Sequence, residues 1–210
     1  MTLQVQTSDN FTGTRADLNG TSLDLGGGGS AATWNADAGG LSVGSGVVTA
    51  GGGAYVAIVS GPSAVAAQRA TLKFVSGVNE GVIVRAQDKA NFMLLYADGA
   101  GDVKAYKCVS GGFTALTASL GTAAANDVFA FDVDAAGNYA AYQNGSSVGT
   151  FSDATYATGV MGFRLFSSAV ADNFLAQIPA SASGGGSSSF EPSSLAPSSA
   201  VESSFEDSAE

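Results

Sequence analysis

Six short segments between residues 54 and 134 are either alternately apolar and polar or continuously apolar. Each is seven to nine residues long and is separated from the next by Gly, Asn, Asp or Ser: 54–60, 68–76, 80–87, 91–98, 101–109 and 127–134. This length and spacing are typical of strands in an antiparallel sandwich or barrel rather than of βαβ units. We therefore predict an all-β protein, with at most one helical turn at 123–127.

Turn residues between these segments support the same prediction. Asp98-Gly99 separates two of the segments, and Asn144-Gly145 follows a further alternating stretch. Both dipeptides are strong hairpin signals, because the two central residues of a type I′ turn adopt positive φ. A third turn is expected at 135–137.

The first 50 residues are richer in Gly and less regular. They predict irregular structure with short β segments around Thr33-Trp34 and at 41–43. Trp34, the only tryptophan, has two open interpretations. It could stack on a sugar ring, which makes it a candidate carbohydrate-binding residue. The alternative, which a large aromatic side chain favours because it normally buries most of its area, is packing on the core.

Charge and composition exclude several classes of function. The net charge is −10, and residues 181–210 hold five acidic and no basic residues, which leaves residues 1–180 at −5. Phosphate contacts need clustered Lys and Arg, so we expect no nucleic-acid partner. The absence of histidine excludes the commonest general base and every His-containing triad. The single cysteine, Cys108, cannot form an intrachain disulfide, and its strand-like surroundings predict a buried thiol.

The composition changes near residue 180. Residues 181–210 are rich in Ser, Gly, Pro and Glu and contain too few apolar residues to bury a core of their own. We predict a β-sandwich domain at 1–180, followed by an extended, non-globular C-terminal arm at 181–210.

Within the arm, Ser-Ser-Phe-Glu occurs at 188–191 and again at 203–206. The repeat is either a chance product of a Ser-rich sequence or a pair of anchors for a partner protein. In the second case each Phe would fill an apolar pocket, each Glu would meet Arg or Lys, and the tethered pair would gain avidity. The candidate contact residues are Phe190, Glu191, Phe205 and Glu206.

The tripeptide Asp-Asn-Phe occurs at 9–11 and again at 172–174, near the two ends of the predicted domain. The stretches DNFTGT, TW, GVIVRAQDKANFMLLYAD, AAYQNGSSVGTF and TGVMGFRLFSSAVADNFLAQ resemble the concanavalin A-like, or laminin G-like, jelly-roll superfamily over roughly residues 8–178. The resemblance implies an antiparallel two-sheet sandwich in which both copies lie on adjacent strands. Phe11 and Phe174 would then be core residues, with the Asp-Asn pairs at the strand entrances.

Domains of this kind occur in phage and viral structural proteins, in glycan-binding modules and in some sugar-processing enzymes. Glycoside hydrolysis needs two carboxylates. Residues 1–180 contain one Glu, Glu80, and lack the Glu-x-Asp-x-Glu pattern of laminarinase-like members. Asp132 and Asp134 share a strand face, but Asp134 leads into a turn. We therefore predict no catalytic residues.

The segment Asp132–Asn138 superficially resembles a calcium-binding loop. It lacks the bidentate Glu of a full EF-hand, since Gln143 stands at that position, and Asp and Gly are ordinary turn residues. We predict a turn, no metal ligands and no cofactor. The resemblance leaves open a calcium ion bound elsewhere at the sandwich rim.

Residues 1–11 lack the basic and apolar regions of a signal peptide, and no apolar run reaches the ~18–20 residues of a membrane span. The chain resembles leaderless phage virion proteins. We expect a non-enzymatic structural protein located in the virion. It would decorate the capsid or another part of the particle surface. Its arm would bind other virion proteins of the capsid or tail, without a membrane partner and with homo-oligomerisation left open. The alternative is a carbohydrate- or receptor-binding module of a tail fibre or an exported protein, which would bind cell-surface glycans.

Overall fold

The computed structural model describes residues 3–26 and 32–179. All regular structure in this part of the chain is β, as the sequence predicts. No helix that could cross a membrane is found among these residues. The predicted arm and its four candidate contact residues lie outside the described residues.

Sixteen strands are numbered in chain order. They are β1 (Leu3–Asp9), β2 (Leu25–Gly26), β3 (Thr33–Ala36), β4 (Leu41–Gly44), β5 (Val47–Ala50), β6 (Ala54–Ser60), β7 (Gln68–Phe74), β8 (Glu80–Asp88), β9 (Asn91–Ala97), β10 (Val103–Val109), β11 (Gly112–Ala115), β12 (Asp127–Val133), β13 (Asn138–Gln143), β14 (Ser146–Ser152), β15 (Val160–Phe166) and β16 (Val170–Pro179).

The strands form two antiparallel sheets that pack as a sandwich. The nine-stranded sheet has the order β14-β13-β12-β7-β16-β1-β2, and the β4–β5 hairpin joins it through a pairing of β5 with β16. The seven-stranded sheet has the order β11-β10-β9-β8-β15-β6-β3. All six segments predicted between residues 54 and 134 are strands, with ends that differ by two residues or fewer.

The predicted turns have the expected chemistry. Asn144 and Gly145 adopt φ values of 51° and 82°, as a type I′ hairpin requires. In the turn after β9, Asp98 Oδ1 accepts hydrogen bonds from the backbone N–H groups of Ala100 and Asp102. Gly101 and Asp102 belong to this turn rather than to the strand, so β10 begins two residues later than predicted.

The two copies of Asp-Asn-Phe lie on neighbouring strands, because β1 pairs with β16 and places Asp9 opposite Phe174. Phe11 and Phe174 are both fully buried, as the resemblance implies. The prediction that both Asp-Asn pairs lie at strand entrances is wrong. Asp9 is the last residue of β1, and Asp172 lies inside β16, where a bulge with Asn173 at φ 51° interrupts the pairing with β7.

The main core lies between the sheets. Its centre is an aromatic group in which the Trp34 ring lies 5.0 Å from Phe163 and 5.0 Å from Phe174, while Phe11 lies 5.8 Å from Phe163. Aromatic pairs at these separations contribute beyond their buried area. The two ends of the domain and β15 therefore share one packed centre.

A second apolar cluster lies on the other face of the seven-stranded sheet. Side chains alternate along a strand, so Met93 and Leu95 of β9 face the main core while Phe92 and Leu94 face outward. The buried members of this outer cluster are Val56, Ile58, Ile83, Ala86, Phe92, Leu94 and Cys108. This sheet is consequently apolar on both faces.

The turn between β8 and β9 covers part of this outer face. Lys89 Nζ donates a hydrogen bond to the carbonyl oxygen of Ala36 at 2.9 Å and lies 3.1 Å from Asp37 Oδ1. Ala36 belongs to the edge strand β3, three strands from β8, or roughly 14 Å at ~4.8 Å per strand. The turn must therefore lean across β15 and β6, and the opposite end of the face stays open.

Candidate functional site

The open end of this face contains a depression of about 350 Å³, here called the Arg164 pocket. Its lining combines aromatic rings, one cation and a few polar groups from β9, β10, β11, β15 and the adjoining turns. The lining residues are Asn79, Leu94, Tyr96, Asp98, Gly99, Tyr106, Phe113, Arg164 and Phe166.

One register row across the sheet builds the floor of the pocket. Arg164 of β15 pairs with Gly81 of β8, and Gly81 pairs with Tyr96 of β9. Gly81 has no side chain, so the guanidinium of Arg164 can pass over β8 and lie 5.0 Å from the centre of the Tyr96 ring. A Cβ atom at Gly81 would lie 2.9 Å from Tyr96 Cδ2 and 2.6 Å from Leu94 Cδ1.

Aromatic rings form the walls. Tyr106 lies edge-on to Tyr96 and to Phe113, with ring centres 6.5 Å apart in both pairs. Phe113 and Phe166 are 46% and 39% exposed, which is unusual for residues of this size. The pocket therefore presents clustered aromatic surface to solvent.

Arg164 occupies the centre of these rings. Its guanidinium carbon lies 5.0, 5.2 and 5.9 Å from the ring centres of Tyr96, Phe113 and Phe166. Contacts of this length with several rings are attractive and hold the planar group in place.

Polar groups line one side of the pocket. The Tyr96 hydroxyl donates to Asn79 Oδ1 at 3.3 Å, and Asp98 presents a carboxylate that its own turn orients. Burial raises the pKa of Tyr96, while the charge of Arg164 opposes this shift. The pocket thus offers an amide, a carboxylate, a neutral phenol and a guanidinium beside apolar ring faces.

A second depression, of about 370 Å³, lies at the nine-stranded sheet. Its charged groups already satisfy each other, because Arg69 donates through Nε and Nη2 to the two carboxylate oxygens of Asp132. Arg69 also lies 5.0 Å from the centre of the Tyr142 ring. This depression therefore offers a ligand fewer available charged groups than the Arg164 pocket does.

Trp34 lies in the main core and is 1% exposed. Its indole Nε1–H donates to the buried Asp9 carboxylate at 2.7 Å. The ring has no free face for a sugar, so the structure corrects the carbohydrate-binding interpretation of Trp34 in favour of the packing alternative.

The carboxylates do not form a hydrolytic pair in the pocket. Among the described residues that line it, Asp98 is the one carboxylate. Glu80 is fully buried and points into the sandwich, and burial raises its pKa to about 8.

The segment Asp132–Asn138 has the hydrogen bonds of a turn. Asp134 accepts from the backbone N–H groups of Ala136 and Asn138 and from the Asn138 side chain. Within residues 3–26 and 32–179, no group of three His, Cys, Asp or Glu side chains could hold a metal ion.

Cys108 is buried, as predicted, and its Sγ donates to the carbonyl oxygen of Ala90 at 3.2 Å. Burial raises the pKa of this thiol, which disfavours the reactive thiolate.

Sequence reasoning missed the Arg164 pocket. One signal was available: residues 92–97, FMLLYA, are continuously apolar apart from the tyrosine hydroxyl. In an antiparallel sheet with one solvated face, polar residues should alternate with apolar ones. Continuous apolar character indicates that the second face also has an apolar role.

No protein-family model matches the sequence, and no curated protein matches it either. Solved structures do match in fold. The carbohydrate-binding module CBM66 from Bacillus subtilis aligns with a TM-score of 0.52 at 16% identity, over 80% of this chain and 98% of that one.

Two enzymes align about as well. β-Agarase A from Zobellia galactanivorans has a TM-score of 0.52 at 10% identity, over 84% of this chain and 92% of its own. The Bacillus licheniformis β-glucanase has a TM-score of 0.51 at 14% identity, over 84% and 99%. At these identities the likenesses show the fold alone, and that fold is the concanavalin A-like jelly roll.

Proposed function

We propose that this chain is a non-enzymatic carbohydrate-binding module whose ligand occupies the Arg164 pocket. The observation that carries the proposal is the cluster of Tyr96, Tyr106, Phe113 and Phe166 around one guanidinium on an open sheet face. A mostly apolar pocket with a few convergent polar groups is typical of small-ligand sites. The fold likeness to a carbohydrate-binding module agrees with this proposal.

The chemistry of the pocket suits a sugar. The apolar C–H face of a pyranose or furanose ring can pack on the exposed rings of Phe113 and Phe166. Its hydroxyl groups can donate to Asn79 and Asp98 and accept from Arg164, since these side chains supply both hydrogen-bond roles.

Binding without hydrolysis follows from the carboxylates. Hydrolysis by two carboxylates needs a pair about 5–10 Å apart on either side of the glycosidic bond. The described pocket residues supply Asp98 alone, and Glu80 is buried beneath the sheet. A sugar in this pocket would therefore be held and released unchanged.

A glycan array, followed by affinity measurements on the best ligand, tests the proposal. The double variant Phe113→Ala/Phe166→Ala should weaken binding about tenfold or more, because a ligand that covers the exposed 46% and 39% of these rings gains a little under half of the about 1.5–3 kcal/mol that full burial of each Phe contributes. Val128→Ala is the matched control, since Val128 is an exposed apolar residue of the nine-stranded sheet. Equal binding by the double variant and the wild type would refute the site, and no binding of any glycan by the wild type would refute the function.

The phage virion role remains a second proposal, and the repeated Ser-Ser-Phe-Glu of residues 181–210 is the observation that favours it. In this role the arm binds other virion proteins and the domain decorates the particle. Co-sedimentation with stripped particles of a source phage tests it, using the full chain and a 1–180 truncation. Only the full chain should co-sediment with the particles. Equal binding by the truncation would show that the arm is not the anchor, and so exclude that role for its candidate contact residues Phe190, Glu191, Phe205 and Glu206.

A further inference from the structure

We infer that the Arg164 pocket selects sugars that carry an anionic group, which Arg164 binds. This inference rests on the proposed carbohydrate-binding function and specifies its ligand class. The shared chemistry is a carboxylate or a sulfate ester on a sugar ring whose remaining faces are apolar or hydroxylated.

Most of the other basic residues of the protein are paired with carboxylates. All eight Lys and Arg residues lie in the described part of the chain. Six of them have a carboxylate oxygen within 3.9 Å: Arg15, Arg69, Lys73, Lys89, Lys104 and Lys107. In so acidic a protein, an ion pair is the ordinary state of a cation.

Arg85 is the first exception, and its surroundings explain it. It is fully buried and donates to the backbone carbonyl oxygens of Ala66 at 2.9 Å, Asp134 at 2.6 Å and Tyr156. The guanidinium therefore ties three loops together inside the sandwich, where no ligand can reach it.

Arg164 is the second exception, and its half-buried side chain lines a pocket on the outer face of the sheet. None of the described carboxylates forms an ion pair with it, although Asp98 lines the same pocket. Its neighbours are three aromatic rings, together with the Tyr96 hydroxyl. Rings hold a guanidinium by its face and leave N–H groups at its edge, which match a carboxylate or a sulfate in bidentate geometry.

The local charges allow this selection. Asp98 is the acid on the rim, but two backbone N–H groups hold its Oδ1. Lys104, which pairs with Tyr96 in register, is neutralised by Asp102. The net charge of −10 repels polyanions at long range, so a preference for anionic sugars would have to come from Arg164 itself.

Calorimetry with matched oligosaccharide pairs tests the inference at about 0.15 M salt, where surface charges are largely screened. One pair is a uronic-acid oligomer and its methyl ester, and the other is a sulfated galactan oligomer and its desulfated form. The wild type should bind the anionic member of at least one pair more tightly. The pair that shows the preference identifies the anionic group as a carboxylate or a sulfate.

Arg164→Gln should weaken binding of the anionic member by about 10- to 100-fold, the effect of losing a charge-assisted hydrogen bond. Binding of the neutral member should weaken less, by about two- to fivefold, because its hydroxyl groups lose only an ordinary hydrogen bond from Arg164. Lys104→Gln removes the same charge from the same sheet face and should leave both affinities unchanged. Arg164→Lys keeps the charge without the bidentate geometry and should give an intermediate loss, which separates recognition from a folding defect.

Three results would overturn the inference. The first is equal binding of both members of each pair by the wild type, together with loss of binding in Phe113→Ala/Phe166→Ala. The pocket would then bind sugars without selecting anionic ones. Equal losses in Arg164→Gln and Lys104→Gln would indicate unspecific attraction. Absence of binding to every oligosaccharide, together with a glycan array on which nothing binds, would remove the proposed function as well.

Discussion

At the scale of single residues, the two aspartates of the repeated Asp-Asn-Phe have different surroundings. Asp9 is fully buried and accepts from Trp34 Nε1–H, from the backbone N–H of Phe11 and from Arg15 at 2.7, 2.7 and 2.9 Å. Burial raises the pKa of Asp9, although Arg15 and Trp34 oppose the shift. Asp172 lies near the surface, 3.9 Å from Lys73.

Asp9→Ala should therefore destabilise the domain far more than Asp172→Ala. The first variant leaves the buried indole N–H of Trp34 without an acceptor and removes one of the two carboxylates that pair with Arg15, which keeps Asp24 at 2.8 Å. A buried donor left without an acceptor typically costs about 1–3 kcal/mol. The second removes a weak surface pair, worth about 0–1 kcal/mol. Urea unfolding of both variants measures the difference. Equal losses would show that the Asp9 contacts do not stabilise the fold.

Glu80 is the second buried acid. Its Oε1 accepts from the backbone N–H of Ser76 at 3.2 Å, and its Oε2 is buried with no hydrogen-bond partner among the described residues. Desolvation raises the pKa of Glu80 to about 8, although backbone N–H groups of residues 75–78 oppose the shift. An unpartnered oxygen is the expected position for the proton.

The stability of the domain should consequently fall between pH 5 and pH 8. The folded-state pKa lies above the unfolded value of 4.5, so the protonated carboxyl stabilises the fold fully below about pH 4.5 and this contribution is lost by about pH 8. The loss is on the order of 4 kcal/mol at 1.36 kcal/mol per pKa unit.

Glu80→Gln should remove most of this pH dependence, because its amide mimics the protonated carboxyl. Asp17→Asn is the control, since backbone N–H groups of Asn19 and Gly39 lower the pKa of Asp17 from its ordinary value of 3.8, so that this acid titrates below the pH range measured. Unfolding free energies measured from pH 5 to pH 8 give the slopes. An unchanged slope in Glu80→Gln would contradict the assignment.

At the scale of strands, the local sequence predicts where each strand begins and ends, but it does not predict which strands pair or in what register. The segment 54–60 is predicted to the residue because turn residues bound it on both sides. The pocket is harder to predict, since it joins Tyr96, Phe113 and Arg164 from three strands. The register Arg164–Gly81–Tyr96 makes Arg164 and Tyr96 neighbours, while Phe113 lies in the row of Cys108 and Phe92, and no local pattern sets these registers. The carbohydrate-binding interpretation of Trp34 is wrong for a related reason. Its hydrogen-bond partner Asp9 lies on the other sheet, and no local pattern shows that the two residues meet.

Gly81→Ala should weaken sugar binding and stability together. The new Cβ would lie under 3.0 Å from Leu94 and Tyr96, so the Tyr96 ring beneath Arg164 must shift. Overpacking of this kind typically costs about 1–3 kcal/mol. Gly44→Ala in β4 is the control, because nothing lies within 4 Å of its Cβ position. Thermal unfolding and glycan affinity should change in the first variant alone, and wild-type behaviour of Gly81→Ala would contradict the register argument.

At the scale of the whole molecule, half of the net charge lies in the last 30 residues of the chain. Residues 1–180 carry a net −5 and residues 181–210 carry the other −5. The described residues 3–26 and 32–179 form a buried core between the two sheets, and their two ends are joined through the pairing of β1 with β16. We therefore expect the domain to fold without the last 30 residues.

A truncation after residue 180 should unfold at the same temperature as the full chain, within about 2 °C. It should also bind an anionic oligosaccharide more tightly than the full chain at about 0.01 M salt, where charges act over ~30 Å, because half of the net negative charge has been removed. At about 0.15 M salt the range falls to ~8 Å and the two affinities should converge. Calorimetry at both salt concentrations measures this, with the neutral sugar of the pair as the control. A difference that persisted at high salt would contradict a purely electrostatic effect of the arm.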